Sequence, residues 1–186
     1  MESTDNELVE RVRGGDEDAF RILVERRSRS LFRTAYRITG NSADADDVVQ
    51  ETFLRAYRAI ATFDARASFT TWIHRISVNC SLDLLDSRKR RDSRIEQTDD
   101  LTAIATSEAS PDRVVLGAQM QKAMAAALTA MSGNERTAFV LRHFEGMPLE
   151  EIGSILGIKM NATKNTIFRA VTKLREQLQP FTGTTI

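Results

Sequence analysis

Cysteine, histidine, proline and tryptophan are all scarce in this chain. Among 186 residues there are one Cys, two His, three Pro and one Trp. A lone Cys80 cannot close an internal disulfide, and it fits a reducing compartment. His74, Cys80 and His143, with scattered acids, are the residues that invite a catalytic or metal reading. The two histidines lie far apart in the chain, and no HExxH, CxxC, phosphate-loop or nucleophile-elbow pattern accompanies them. The expectation is therefore a protein that is not an enzyme, with no metal and no cofactor. No apolar run approaches the roughly 18 residues of a membrane helix. The opening MESTDNELVERV is polar and acidic, unlike a signal peptide. A soluble, cytoplasmic protein without membrane insertion is expected. Period-two alternation is absent as well, so no strand is expected.

Net charge is missing too: 26 basic residues balance 26 acidic ones. A zero sum argues against a uniformly basic nucleic-acid binder. The charge is segregated, however. Arg88–Arg91 reads RKRR, Asp44, Asp46, Asp47 and Glu51 form an acidic cluster, and Glu96, Asp99, Asp100, Glu108 and Asp112 form another.

Hydrophobic residues make up 41% of the chain, enough for real cores. Helical periodicity recurs throughout. Asp5–Arg13 reads as a short helix ended by Gly14-Gly15. Asp16 caps the next, which carries Phe20, Leu23, Val24, Leu31, Ala35 and Ile38 to Thr39. Asn41 or Ser42 opens a third helix with Val49, Phe53, Ala56, Tyr57 and Ile60 as its expected buried face. On another face Asp47, Glu51 and Arg55 follow at i, i+4, a spacing that suits either a salt-bridged exposed surface or a partner-binding one. After the polar loop FDARAS, a helix from about Phe69 to Ser87 should bury Trp72, Ile73, Ile76, Leu82 and Leu85, with His74, Arg75, Asn79 and Asp83 on its polar side. It runs into RKRR, which either complements the helix C-terminus or contacts phosphates.

Residues 93–112 lack periodicity and are rich in Asp, Glu, Ser, Thr and Ala. They read as an acidic flexible linker between residues 1–92 and 113–186. Beyond it, a helix to about Met131 offers Val115, Met120, Met124 and Leu128 for packing. Ser132 and Glu135 then form a capping box for a helix through Phe139 to Phe144. The fold class is all-α: two small helical domains joined by a linker.

The last segment carries the most information. Leu149–Leu156 is a short amphipathic helix stopped by Gly157. A second helix, from about Asn161 to Leu178, places Met160, Thr163, Ile167, Val171 and Leu174 on one face and Asn165, Arg169, Thr172 and Lys173 roughly opposite. No acid falls between Glu151 and Glu176, whereas Lys159, Lys164, Arg169, Lys173 and Arg175 do. Helix, glycine turn and basic helix describe a helix-turn-helix whose second member enters the major groove. The same spacing also suits a plain helical hairpin with a solvated basic face.

Two upstream blocks bear on that choice. DADDVVQETFLRAYRAI (Asp44–Ile60) and FTTWIHRISVN (Phe69–Asn79) resemble successive helices of the second region of sigma factors of the extracytoplasmic-function type, within the sigma-70 family. Glu135–Leu178, with LEEIGSILGI, resembles the fourth region. The resemblance implies a transcription initiation factor that binds core RNA polymerase and promoter DNA and answers to an anti-sigma partner, in a stress or envelope response. It implies a polymerase-binding surface at Asp44, Asp47, Gln50, Glu51 and Arg55. It implies −10 element recognition and melting by the loop at residues 64–70 and by Trp72, Arg75, Asn79, Arg88, Lys89, Arg90 and Arg91. It implies −35 recognition by Asn161, Ala162, Lys164, Asn165, Phe168, Arg169 and Lys173.

The recognition helix departs from the usual family pattern. Thr166 stands where Arg is common and Phe168 where His is common. Thr163 puts a hydroxyl at a packing position, which is expected to loosen the helix start. Asn165 can pair bidentately with adenine, and Phe168 can touch a thymine methyl, so altered −35 specificity is expected. A stand-alone helix-turn-helix regulator is the alternative, but it leaves Asp44–Asn79 without a role.

Overall fold

The computed structural model describes residues 3–64, 68–92, 123–128 and 130–182. The linker at 93–112, Val115 and Met120 lie outside the described residues. The chain divides into two compact units, Met1–Ile95 and Glu96–Ile186. Among the described residues every regular element is helical.

Unit one contains α1 (Asp5–Arg13), α2 (Glu17–Thr39), α3 (Ser42–Ala59), a single 3-10 turn (Ile60–Thr62) and α4 (Phe69–Asp92). Local chemistry sets the boundaries. Thr4 and Glu7 form a reciprocal capping box on α1, and Asp16 accepts from the Ala19 amide at 3.1 Å to start α2. Gly40, at φ 77°, ends α2 in the left-handed conformation, and Asn41 immediately caps α3 through the Asp44 amide at 3.1 Å. So short a link folds α3 back onto α2. The core joins Leu8, Leu23, Leu31, Phe53, Phe69 and Ile73, each contributing about 1.5–3 kcal/mol on full burial. Phe63, Phe69 and Trp72 form an aromatic cluster with centroids 5.1–6.1 Å apart. Arg13 crosses from α1 to donate to the carbonyls of Ile60 (3.2 Å) and Phe63.

Unit two contains α5 (residues 123–128), α6 (Gly133–His143), α7 (Leu149–Leu156) and α8 (Met160–Thr182). The Ser132–Glu135 capping box is formed in both directions. Met131, Phe139 and Ala170 pack together with Leu128, Val171 and Leu174, and α6, α7 and α8 all touch one another. Gly157, at φ 66°, makes the turn between α7 and α8. Gly153 permits its closure: a β-carbon there would sit 2.9 Å from the Ile158 carbonyl oxygen and 2.9 Å from Thr163 Oγ1.

Several expected core positions move. Tyr57 is half exposed, touching Phe20 edge-on at 4.9 Å, and Val49 is only partly buried. Ala45, Val48 and Thr52 line the inner face of α3 instead. On α4, Trp72, Ile76, Leu82 and Leu85 are intermediate, while His74, Ser77, Val78, Cys80 and Ser81 are buried, and the helix continues past Ser87 to Asp92. The physical reason is close packing. Helix α4 contacts both α2 and α3, so small side chains fill the narrow gap. Their hydroxyls turn back on their own helix: Ser81 Oγ donates to Ser77 O at 2.9 Å, Thr52 to Val48 O at 2.6 Å and Thr39 to Ala35 O at 3.0 Å. Thr163 does the same toward Lys159 O at 3.2 Å and is fully buried. Its hydroxyl is accommodated within the first turn of α8, contrary to the expected loosening.

Candidate nucleic-acid interface

Helix α8 has a seat and an outward face. Thr163, Thr166 and Ala170, at i, i+3 and i+7, form the buried seat, flanked by Ile167, Val171 and Leu174. Small residues there let α8 lie close to its neighbours. Thr166 is therefore turned inward, and it cannot stand in for the exposed Arg common at that place. Asn161, Ala162, Lys164, Asn165, Phe168 and Arg169 are all exposed. Ala162, Asn165, Phe168 and Arg169 border a shallow groove of about 390 Å³. Phe168 is 71% exposed. The face offers two amides, two cations and one apolar ring, the groups that read base edges and phosphates in a major groove.

Lys173 is placed otherwise than the sequence suggests. Its ammonium donates to Glu135 Oε2 at 2.7 Å and to the Ala130 carbonyl at 3.1 Å, which ties α8 to the start of α6. Arg169 Nε lies 3.4 Å from the other oxygen of Glu135. Burial pulls the Glu135 carboxyl upward. The hydrogen bonds from Lys173 and the Ser132 amide, with the Lys173 charge, outweigh it and hold the carboxyl below its usual range.

In unit one, α4 presents Arg75 and Asn79 on its exposed side and ends in exposed Lys89, Arg90 and Arg91. At 1.5 Å per residue Arg75 and Arg91 are about 24 Å apart along the helix, with exposed Asp83 and Asp86 between them. Trp72 is half-buried and belongs to the aromatic cluster with Phe63 and Phe69. Arg88 is engaged inside the unit, where its Nη1 lies 2.6 Å from Asp44 Oδ2 and its Nη2 donates to Oδ1 at 2.7 Å. Asp44 itself is buried. Desolvation raises its pKa, opposed by the Arg88 charge and reinforced by the nearby Asp47. The two are paired through one hydrogen bond at Oδ1 and a close ion-pair contact at Oδ2, which makes no aligned hydrogen bond of its own.

The outer side of α3 carries exposed Asp47 and Gln50. Glu51 accepts from Arg55 at 2.6 Å, and Arg55 reaches Asp83 of α4 at 3.1 Å. The hydrogen bonds of Glu51 and then Asp83 raise the pKa of Arg55. Beside Gln50 runs an apolar groove of about 710 Å³ between α2 and α3, bordered by Phe20, Val24, Val49, Leu54 and Tyr57. Sequence reasoning missed this groove. Leu54 and Tyr57 were its available signal, since both stand off the α3 core stripe once Val48 and Thr52 are recognised as inward.

His74 is buried in unit one, and His143 stacks beside Phe139 at 4.7 Å in unit two. Burial raises the Cys80 thiol, with Arg55 opposing, so the sulfur keeps its proton at neutral pH. No metal-holding group of His, Cys, Asp and Glu occurs among the described residues, and none of their helices is long and apolar enough to cross a membrane.

A helix-turn-helix with an exposed polar and basic face, carried with a second helical unit that has its own apolar groove, fits the class of two-unit DNA-binding transcription factors. Residues 23–91 match the family model for sigma-70 region 2, and residues 121–174 match that for sigma-70 region 4. The chain belongs to the sigma-70 family, among the extracytoplasmic-function sigma factors, which direct RNA polymerase to promoters and initiate transcription. It is 31% identical over 185 residues to the sigma factor SigW of Bacillus subtilis, covering 96% of this chain and 99% of that one. It is 33% identical over 183 residues to the sigma-E factor of Escherichia coli, covering 95% of each. Among solved structures it is similar to CnrH in complex with the cytosolic domain of CnrY, at a TM-score of 0.68 and 29% identity over 95% of this chain and 97% of that one.

Proposed function

We propose that α7, the Gly157 turn and α8 read the −35 element, with Asn165 and Phe168 selecting bases while Lys164 and Arg169 hold phosphates. Asn161 and Ala162 line the approach at the start of α8. The observation that carries this reading is the division of α8 into a buried Thr163–Thr166–Ala170 seat and an exposed face of Asn161, Ala162, Lys164, Asn165, Phe168 and Arg169. Arg75, Asn79, Lys89, Arg90 and Arg91 of α4 serve the −10 element, where single-stranded bases need stacking or hydrogen-bonding groups and nearby positive charge. Asp47, Gln50, Glu51 and Arg55, with the apolar groove beside them, form the seat for core polymerase. An anti-sigma partner holds the protein inactive in the cytoplasm until a stress signal arrives. The complex of CnrH with a cytosolic domain supports this. The polymerase tethers both units at the promoter, and that compensates for a neutral chain's weak grip on free DNA.

The test reconstitutes the full chain with core polymerase on a library of −35 variants. Asn165→Ala should reorder the preferred −35 sequences while overall transcription from the best of them persists. An unchanged ranking would remove Asn165 from the reading face.

A further inference from the structure

We propose that Glu135, outside the reading face, is a positioning residue that withholds positive charge of α8 from DNA phosphates and so sets the sequence-independent part of its affinity. The inference rests on α8 being the DNA reader. Glu135 has a side chain only 7% exposed, yet it meets two cations of that helix. Its two oxygens are used unequally. Oε2 receives Lys173 at 2.7 Å and the Ser132 amide at 2.9 Å. Lys173 is further fixed by the Ala130 carbonyl at 3.1 Å. Oε1 meets the longer 3.4 Å contact from Arg169, whose side chain is 64% exposed. Lys173 is thus locked, and Arg169 is held loosely at the edge of the groove that it shares with Asn165 and Phe168.

Two cations and one carboxylate leave this cluster a single net positive charge. Phosphate contacts supply affinity without sequence information, and base-edge contacts supply discrimination. A carboxylate that neutralises part of the helix's charge therefore lowers affinity for every duplex alike. Binding then depends more heavily on the contacts of Asn165 and Phe168. Arg169 leaves Oε1 only when a phosphate or base edge offers a better partner.

Glu135→Gln tests this without removing the helix cap, because Gln also serves at the third position of a capping box. The full chain is titrated against a short mixed-sequence duplex by fluorescence anisotropy across a salt series. Wild type, E135Q, R169A and N165A are compared, with circular dichroism confirming the fold. E135Q should bind the mixed duplex more tightly and show a steeper salt dependence, by about 0.9 in log K against log salt for each cation released. From roughly 50 to 200 mM salt that is an additional loss of about three- to fourfold per cation. A folded E135Q whose salt slope equals that of wild type overturns the proposal.

If R169A weakens binding while E135Q parallels wild type, Glu135 alone is excluded and the reading face stands. If neither R169A nor N165A changes binding, the reading face itself fails, and the proposal with it. Should E135Q not fold, Lys173→Met decides. With Lys173 gone, Glu135 keeps Arg169 for itself, so the slope should become shallower by about 0.9 and adding R169A should change nothing more. An unchanged slope for K173M, or losses that add, overturns the proposal.

Discussion

Arg88 and Asp44 were each expected at a different interface, one against phosphate and the other against polymerase, and the structure pairs them with each other. Arg88→Ala separates the two views. Asp44's side chain is 10% exposed and Arg88's is 41%. Removing one partner from a fully buried pair costs about 3–5 kcal/mol, because a charge is stranded. Exposed pairs are worth about 0–1 kcal/mol. With one partner buried and the other only half so, the cost of R88A should be about 1–2 kcal/mol. In a domain of this size that lowers the melting temperature by about 4–16 °C. The assay is built into the chain: Trp72 is its only tryptophan and lies in unit one, so its fluorescence follows that unit alone.

The pH dependence has a definite sign. Burial raises the Asp44 pKa above its ordinary 3.8, so as pH falls through the raised value the carboxyl is neutralised in the folded state first. The deficit of R88A should therefore be full at neutral pH and shrink as the solution is acidified. Asp44→Asn on the R88A background should recover much of the loss, since the stranded charge is gone. R88A melting like wild type, combined with a shallower salt dependence of DNA binding, would refute the reasoning and return Arg88 to the phosphates.

Other substitutions probe separate joints. Arg13→Ala removes hydrogen bonds to the Ile60 and Phe63 carbonyls and should destabilise unit one by about 1–2 kcal/mol. Because Phe63 lies 5.1 Å from the indole, the Trp72 emission spectrum should shift even below the melt. Gly157→Ala forces a β-carbon into φ 66° and should cost unit two about 1–2 kcal/mol, read as faster amide exchange in α7 and α8. The Glu135 carboxyl lies below its ordinary 4.5 when folded. Its contribution to unit two is present above 4.5 and lost as pH falls through the depressed value, whereas E135Q should show no such acid step in amide exchange.

Most helix starts and glycine stops proved legible because they are written in local chemistry, whereas α4 and α8 run past the expected Ser87 and Leu178, where no stop residue stands. Thr4 with Glu7, Asp16, Gly40-Asn41, Ser132 with Glu135, and Gly157 each satisfy or stop a helix end through neighbours a few residues away. Inner faces were harder to read. Apolar periodicity chose Tyr57 and Val49 over Val48 and Thr52, and it overlooked Ser77, Ser81, Thr166 and Ala170. Small Ser and Thr side chains fit a narrow gap as Ala does, and Ser81 returns its hydroxyl to its own helix, yet a hydropathy pattern counts them as polar. At the site, spacing found Asn165 and Arg169 of the exposed stripe of α8, while Thr172 and Lys173 are half-buried and the other exposed positions came from the family resemblance. The partners of Asp44, Arg88 and Lys173 lie 38 to 44 positions away along the chain. Only the folded chain brings them together, and their ion pairs decide which charges remain for a ligand.

The Thr163–Thr166–Ala170 seat has a consequence for how this helix can change over time. The residues that hold α8 in place and the residues that face outward overlap only at Thr166, which also borders the groove. Substitutions at 161, 162, 164, 165 and 168 leave the seat untouched, so they carry almost no folding penalty, and surface changes of this kind are usually within about 0.5 kcal/mol. Lineages of such a protein can therefore wander among target sequences one base at a time without passing through an unfolded intermediate. For the same reason, the outer face of α8 is a ready place to graft a new sequence preference.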